Sequence, residues 1–164
     1  MLITELTYKD LRLEVDAKSL ARSKKLGALR YRGLSKSGDV VMFSTPSQTT
    51  KGKFWSQYIQ LLELEDVRKM KDLTAFQKVT LLIGGDIGVK CTCPAFKYWG
   101  YNYILTQVDA VFGRGEQRFP GVRNPELKGS VCKHLAHTLQ YFPFYISEIA
   151  RDMKAKGILT GRDE

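Results

Sequence analysis

The residues of this chain best suited to chemistry are two short clusters, Cys91-Thr92-Cys93 and Cys132-Lys133-His134. Residues two apart on an extended backbone project from the same face, so the thiolates of Cys91 and Cys93 can close on one cation. A disulfide across that spacing would be strained. Cys132 and His134 repeat the spacing where a helix is expected to begin, Cys132 just outside the first turn and His134 within it. The partial positive charge of a helix N-terminus favours the thiolate there. Together the four make Cys-x-Cys followed by Cys-x-His, soft and borderline donors that zinc takes tetrahedrally, at about 2.3 Å to sulfur and about 2.0–2.1 Å to nitrogen. Four protein donors leave no position for water or substrate, so the expectation is one structural Zn2+ and no enzyme. The bland alternative is three small buried thiols and a satisfied core histidine. His137, three residues after His134, shares its helical face and could replace it as ligand or take a hydrogen bond behind it.

No other constellation suggests catalysis. The cysteines and His134 are absorbed by the metal pattern, which leaves no nucleophile with its base. Gly84-Gly85-Asp86 and Gly113-Arg114-Gly115 lack the spacing and the lysine of a phosphate-cradling loop and read as turns. Glu63 and Glu65 read as a strand end or a helix start. No small-molecule substrate is expected.

Lys and Arg number 26 against 17 Asp and Glu, a formal net charge of +9 that attracts polyanions at low salt. Between Ala17 and Gly38 stand Lys18, Arg22, Lys24, Lys25, Arg30, Arg32 and Lys36 with no acidic residue. Lys24, Lys25, Arg30 and Arg32 from this stretch, with Arg114, Arg118, Arg123 and Lys128 further on, are the candidate phosphate contacts for DNA. A solvated surface is the competing reading, and Glu116 and Glu126 dilute the second group. The aromatic run Phe96, Tyr98, Trp99, Tyr101, Tyr103 could stack bases, although Phe96, Trp99 and Tyr103 fit one buried helical stripe. Three cysteines in one metal-like pattern disfavour a secreted disulfide framework. Apolar runs are far shorter than the roughly 20 residues of a membrane span, and Met1 to Glu5 does not begin a signal peptide. A cytoplasmic protein without membrane contact is expected.

The elements that must position these side chains read as α+β, an antiparallel sheet with hairpins and helices packed on one side. Residues 28–34 and 39–45 form a hairpin around Lys36-Ser37-Gly38, with Arg30 and Arg32 on one face and Leu29 and Tyr31 on the other. Phe54 to Leu64 suits a third strand, with an amphipathic helix as the alternative. Glu65 to Lys71 reads as a short helix. Lys78 to Ile83 and Ile87 to Cys93 read as a second hairpin turning at Gly84-Gly85. Pro94 opens a helix continuing from Ala95 to Val108, residues 112–130 form a long loop, and two helices, Cys132 to Tyr141 and Phe144 to Lys156, meet at Pro143 and stop at Gly157. The organisation expected is a single domain, 1–164. It has a β-rich part (1–75), a zinc module in the C-terminal half (77–141) and a last helix (144–157).

Cys91-Thr92-Cys93-Pro94 after a hairpin, then Val131-Cys132-Lys133-His134-Leu135 opening a helix, resembles the SWIM-type zinc finger. The resemblance covers roughly residues 77–141. It implies a ββα arrangement around zinc and a role in binding DNA or protein. Here 38 residues separate Cys93 from Cys132, longer than is typical, yet loop closure costs little more as length grows. More narrowly, three segments are similar to small uncharacterised proteins encoded by tailed bacteriophages. These are Phe54-Trp55-Ser56-Gln57-Tyr58-Ile59, Cys93 to Gly100 and Asn124 to His134. That resemblance implies a non-catalytic virion or assembly component that docks to protein neighbours and touches DNA, made in the host cytoplasm and incorporated into the particle. The alternative is a free nucleic-acid-binding accessory protein that uses its basic surface.

Overall fold

The computed structural model describes residues 17–160. The first 16 residues of the β-rich part, the tail Gly161 to Glu164 and the side chains of Ala17, Lys18 and Leu20 lie outside the described residues. Within that range the chain is α+β. A four-stranded sheet runs β1 (Arg30–Leu34), β2 (Val40–Pro46), β3 (Phe54–Leu61) and β4 (Ile87–Cys91) in spatial order, every neighbouring pair antiparallel. The helices are α1 (Ala17–Ser23), α2 (Leu64–Arg68), α3 (Ala75–Gly84), α4 (Pro94–Tyr98), α5 (Tyr101–Thr106), α6 (Lys133–Tyr141) and α7 (Ile146–Ala155). A 3-10 turn, Phe142–Tyr145, joins the last two. No described helix is long and apolar enough to cross a membrane.

The first hairpin forms where its turn residues place it. Asp39 accepts from the hydroxyls of Ser35 and Ser37, and Gly38 takes φ +79°. A Cβ on Gly38 would lie 2.0 Å from Ile158 Cδ1, so the end of the described chain packs directly on this turn.

Alternation divides the sheet. One face carries Tyr31, Val41, Phe43, Gln57, Ile59, Val89 and Cys91 and is covered by α6, the 3-10 turn and α7. Phe43 meets the rings of Phe142 and Tyr145 edge-on at 5.8 and 5.3 Å. Leu135, Leu139, Ile149 and Met153 complete the core from the helix side. The Tyr31 hydroxyl donates to Asp152 at 2.7 Å, tying β1 to α7.

The second hairpin does not form, because Lys78 to Ile83 lies inside α3. Thr74 and Gln77 make a reciprocal capping box that satisfies two orphan donors of the helix start. Ala75, Val79, Leu82 and Ile83 then fall on one buried stripe at helical spacing. Strand propensity in Val-Thr-Leu-Leu-Ile is overruled by this cap and by packing on α7. β4 pairs instead with β3, Gln57 opposite Cys91 and Ile59 opposite Val89. The ββα arrangement around the cysteines is therefore built from β3, β4 and the helices that follow.

The helix expected from Ala95 to Val108 is two helices. Gly100 breaks it at φ +90°, where a Cβ would also meet Pro120 Cγ at 2.3 Å. The third strand ends at Leu61, and the short helix after it runs Leu64–Arg68. Residues 112–130 carry no helix or strand but are anchored. Val89 bridges Val111, the buried Asn124 side chain bonds both the N–H and the carbonyl of Lys128, and Asn102 with Thr106 accepts from the Glu116 N–H.

Candidate metal centre

Cys91 ends β4, and Cys93 is the residue just before α4, with Pro94 in the first helical position. The Thr92 between them stays in register with β3. Its N–H donates to the Ser56 carbonyl at 3.0 Å and its hydroxyl accepts from the Ser56 N–H at 2.9 Å. Cys132 precedes α6 in an extended conformation without a side-chain cap, and His134 sits in the first turn. The 38 residues between Cys93 and Cys132 return the chain to the same spot. One donor atom from each of Cys91, Cys93, Cys132 and His134 lies within 4.8 Å of all the others, and all four residues are buried. A tetrahedral zinc site with bonds of about 2.3 Å has donors about 3.8 Å apart, so these residues could bind a metal ion with little adjustment.

Two features of the donor set fit a cation. Both ring nitrogens of His134 are buried without a hydrogen-bond partner. A buried polar atom left so costs about 1–3 kcal/mol, and a metal bond satisfies one of them. The thiols tell the same story. Burial pushes Cys91 up to about 12 and also raises Cys132. Hydrogen bonds from Cys132 and then Cys91 hold Cys93 far below its ordinary value. Three buried sulfurs in mutual contact are an arrangement that a cation would stabilise, because a bound cation deprotonates its thiol ligands outright.

Gln57 is the residue that sequence reasoning missed. Fully buried opposite Cys91, it donates from Nε2 to Cys91 Sγ at 3.5 Å and to the Trp55 carbonyl at 2.9 Å, while Oε1 accepts from Thr45 at 2.6 Å. A glutamine in an apolar strand at an inward-facing position was the available signal. The Trp55 ring lies 6.5 Å from that of His134, with Lys53 Nζ 4.4 Å from the indole centroid. A cleft of about 630 Å³ opens beside Cys93, Cys132 and His134, walled by Trp55, Trp99 and Arg22.

His137 is not part of the cluster. Its ring packs edge-on against Tyr141 at 4.9 Å, and burial lowers its pKa against a backbone hydrogen bond at Gly27. The candidate phosphate contacts are all exposed but do not converge. Arg30 and Arg32 share the sheet face that no described helix covers, both over the Phe54 ring. Lys24 and Lys25 follow α1. Arg114 lies in a groove with Lys90 and Lys97, and Arg118 and Arg123 border another with Phe119. Lys128 is paired with Glu126 at 2.6 Å. Of the aromatic run, Phe96 and Tyr101 are buried, Tyr103 packs on Phe119 at 5.7 Å, and Tyr98 and Trp99 are exposed.

The fold and cluster define an α+β protein with a buried three-cysteine, one-histidine group that could hold a metal ion. In comparisons with protein-family models, curated proteins and solved structures, nothing matches this chain.

Proposed function

We propose that this chain is a non-catalytic binding and assembly protein whose fold is held by one structural zinc ion on Cys91, Cys93, Cys132 and His134. The observation that carries the reading is the convergence of four buried donors from two distant segments. Three thiolates and one imidazole favour zinc over the hard cations, and a four-donor shell leaves the ion no substrate position. The resemblance of the cysteine and histidine motifs to the SWIM-type finger, and of three segments to small tailed-phage proteins, suggests a role in a virion or its assembly, against protein neighbours. Exposed apolar groups in the long loop and before α7 suit such docking: Val122 is 94% exposed, Phe119 50% and Phe144 77%.

Elemental analysis of the purified protein is expected to find one zinc per chain. Cobalt in its place should give a tetrahedral, thiolate-rich spectrum that added anions do not change. A spectrum that shifts with anions would reveal an open position beside the 630 Å³ cleft and overturn the non-catalytic assignment. Quantitative mass spectrometry of purified particles should find stoichiometric copies, and absence from particles would reject the virion role. A second reading, a nucleic-acid-binding accessory protein free in the host cytoplasm, is favoured by the exposed Arg30 and Arg32 on the uncovered sheet face.

A further inference from the structure

The face of the sheet turned away from the helices has a composition unlike that of an ordinary solvated surface. Reading across the strands, Arg30 stands beside Ser44 and Ser56, and the next row runs Gly33, Met42, Tyr58, Lys90. Arg32, at the bulge between Tyr31 and Gly33, joins this side, its Nε donating to Ser44 Oγ at 2.8 Å. Phe54 closes one end, 38% exposed, with the guanidinium carbons of Arg30 and Arg32 at 5.1 and 5.9 Å from its centroid. Beyond β4, Phe112 packs on Tyr58 at 5.8 Å, and the Phe112 N–H donates to the Val89 carbonyl. The face then continues into the groove that Lys90 lines with Lys97 and Arg114.

Among the described residues, Asp39 and Glu116 are the carboxylates that border this face and its groove. Asp39 is engaged with Ser35, Ser37 and Gln60, and Glu116, at the wall of the groove, accepts from the nearby Arg118 N–H. Among the described residues, no salt bridge involves Arg30, Arg32 or Lys90. The side chains here supply positive charge, planar rings and hydroxyls together.

We propose that this open face binds single-stranded nucleic acid, with bases stacked on Phe54 and Tyr58 and phosphates held by Arg30, Arg32 and Lys90. Phe54 is exposed and Tyr58 half-buried with its ring against Phe112, and rings set on a sheet in this way are a sequence-tolerant platform for unpaired bases while flanking cations track the backbone. Phe54 and Tyr58 lie on the same side of β3 four residues apart, about 13 Å at the strand's rise, room for separate bases. A duplex fits poorly. Four strands spaced about 4.8 Å apart make a surface about 14 Å across, wider than the roughly 12 Å major groove, and paired bases offer the rings no face. The inference rests on the second reading of function and gives that reading its site.

The test is fluorescence anisotropy of the zinc-loaded full chain with labelled oligo(dT) and oligo(U) of about 12 nucleotides and with a duplex of equal length. Single strands are expected to bind more tightly than duplex, with an affinity that falls as salt rises. Phe54→Ala should weaken binding roughly 5- to 150-fold, with circular dichroism unchanged, and Phe54→Trp should retain it. Arg30→Gln should flatten the log–log salt slope by about 0.7. No binding of any nucleic acid at low salt would sink the second reading and the inference together. Duplex bound as tightly as single strand, or Phe54→Ala without effect, would overturn the inference alone. Concentration-dependent dimerisation abolished by Phe54→Ala, without nucleic-acid binding, would assign the face to a second copy and likewise overturn it.

Discussion

Replacing Gln57 by leucine tests whether the proposed zinc centre is built by the sheet as well as by its four donors. The side chain is wholly buried and joins four partners: Thr45 Oγ1 at 2.6 Å, the Trp55 carbonyl at 2.9 Å, Cys91 Sγ at 3.5 Å and Thr138 Oγ1 at 3.5 Å, the last of which also donates to the His134 carbonyl. Leucine has similar volume but no polar atom. It strips the acceptor from buried Thr45 and the donor from the Trp55 carbonyl, and orphaning each group costs about 1–3 kcal/mol. The apolar replacement returns part of that, so a net loss of about 2–4 kcal/mol is expected from urea unfolding in excess zinc. Loss of the N–H···S bond removes a partner that stabilises negative charge on Cys91. Outer-shell partners of this kind are commonly worth about 10- to 100-fold in metal affinity, readable by competition with a chromophoric chelator. Thr45→Val supplies the contrast. It removes the 2.6 Å bond but touches no sulfur, so stability should fall while zinc affinity stays within about twofold. If Gln57→Leu leaves zinc affinity unchanged, the assignment of Gln57 to the metal centre is wrong.

Other perturbations probe the frame around the centre. Chelation, or Cys132→Ser, should abolish cooperative unfolding of residues 77–141, because binding energy at such a site is folding energy; an unchanged melting temperature would refute a structural ion. Gly100→Ala forces a side chain into φ +90° and against Pro120, and should cost at least about 1–2 kcal/mol by urea unfolding; a neutral result would mean that the α4–α5 break is not required. Burial lowers the pKa of His137, so in the window below its ordinary value of 6.5 the unfolded chain takes up the proton first. Its contribution to stability is full above pH 6.5 and declines as pH falls towards the folded value. His137→Phe should therefore lose less stability than the parent between neutral pH and about pH 5.5, and equal losses would contradict a neutral buried imidazole.

What could be read in the sequence was whatever short-range spacing decides. Cys-x-Cys and Cys-x-His each present two donors by backbone period alone, the Ser35–Asp39 segment turns the first hairpin with its own side chains, and Gly157, at φ +69°, stops the last helix. Neighbours along the chain settle these features, so their partners are already in view. Only tertiary structure decided that Lys78 to Ile83 is helical, since an apolar run of that length is compatible with either period until a cap and a packing surface choose. With that choice β4 lost its expected hairpin partner and paired with β3. The pairing brought Gln57 opposite Cys91 from 34 residues away and left Arg30, Arg32, Phe54 and Tyr58 on the uncovered face. The union of the two donor pairs was likewise decided by the fold. Each pair is local, but the distance between them is closed only when the anchored loop returns Cys132 and α6 against β3 and β4. Long-range register is set by the packing of whole faces, and no segment carries that information alone.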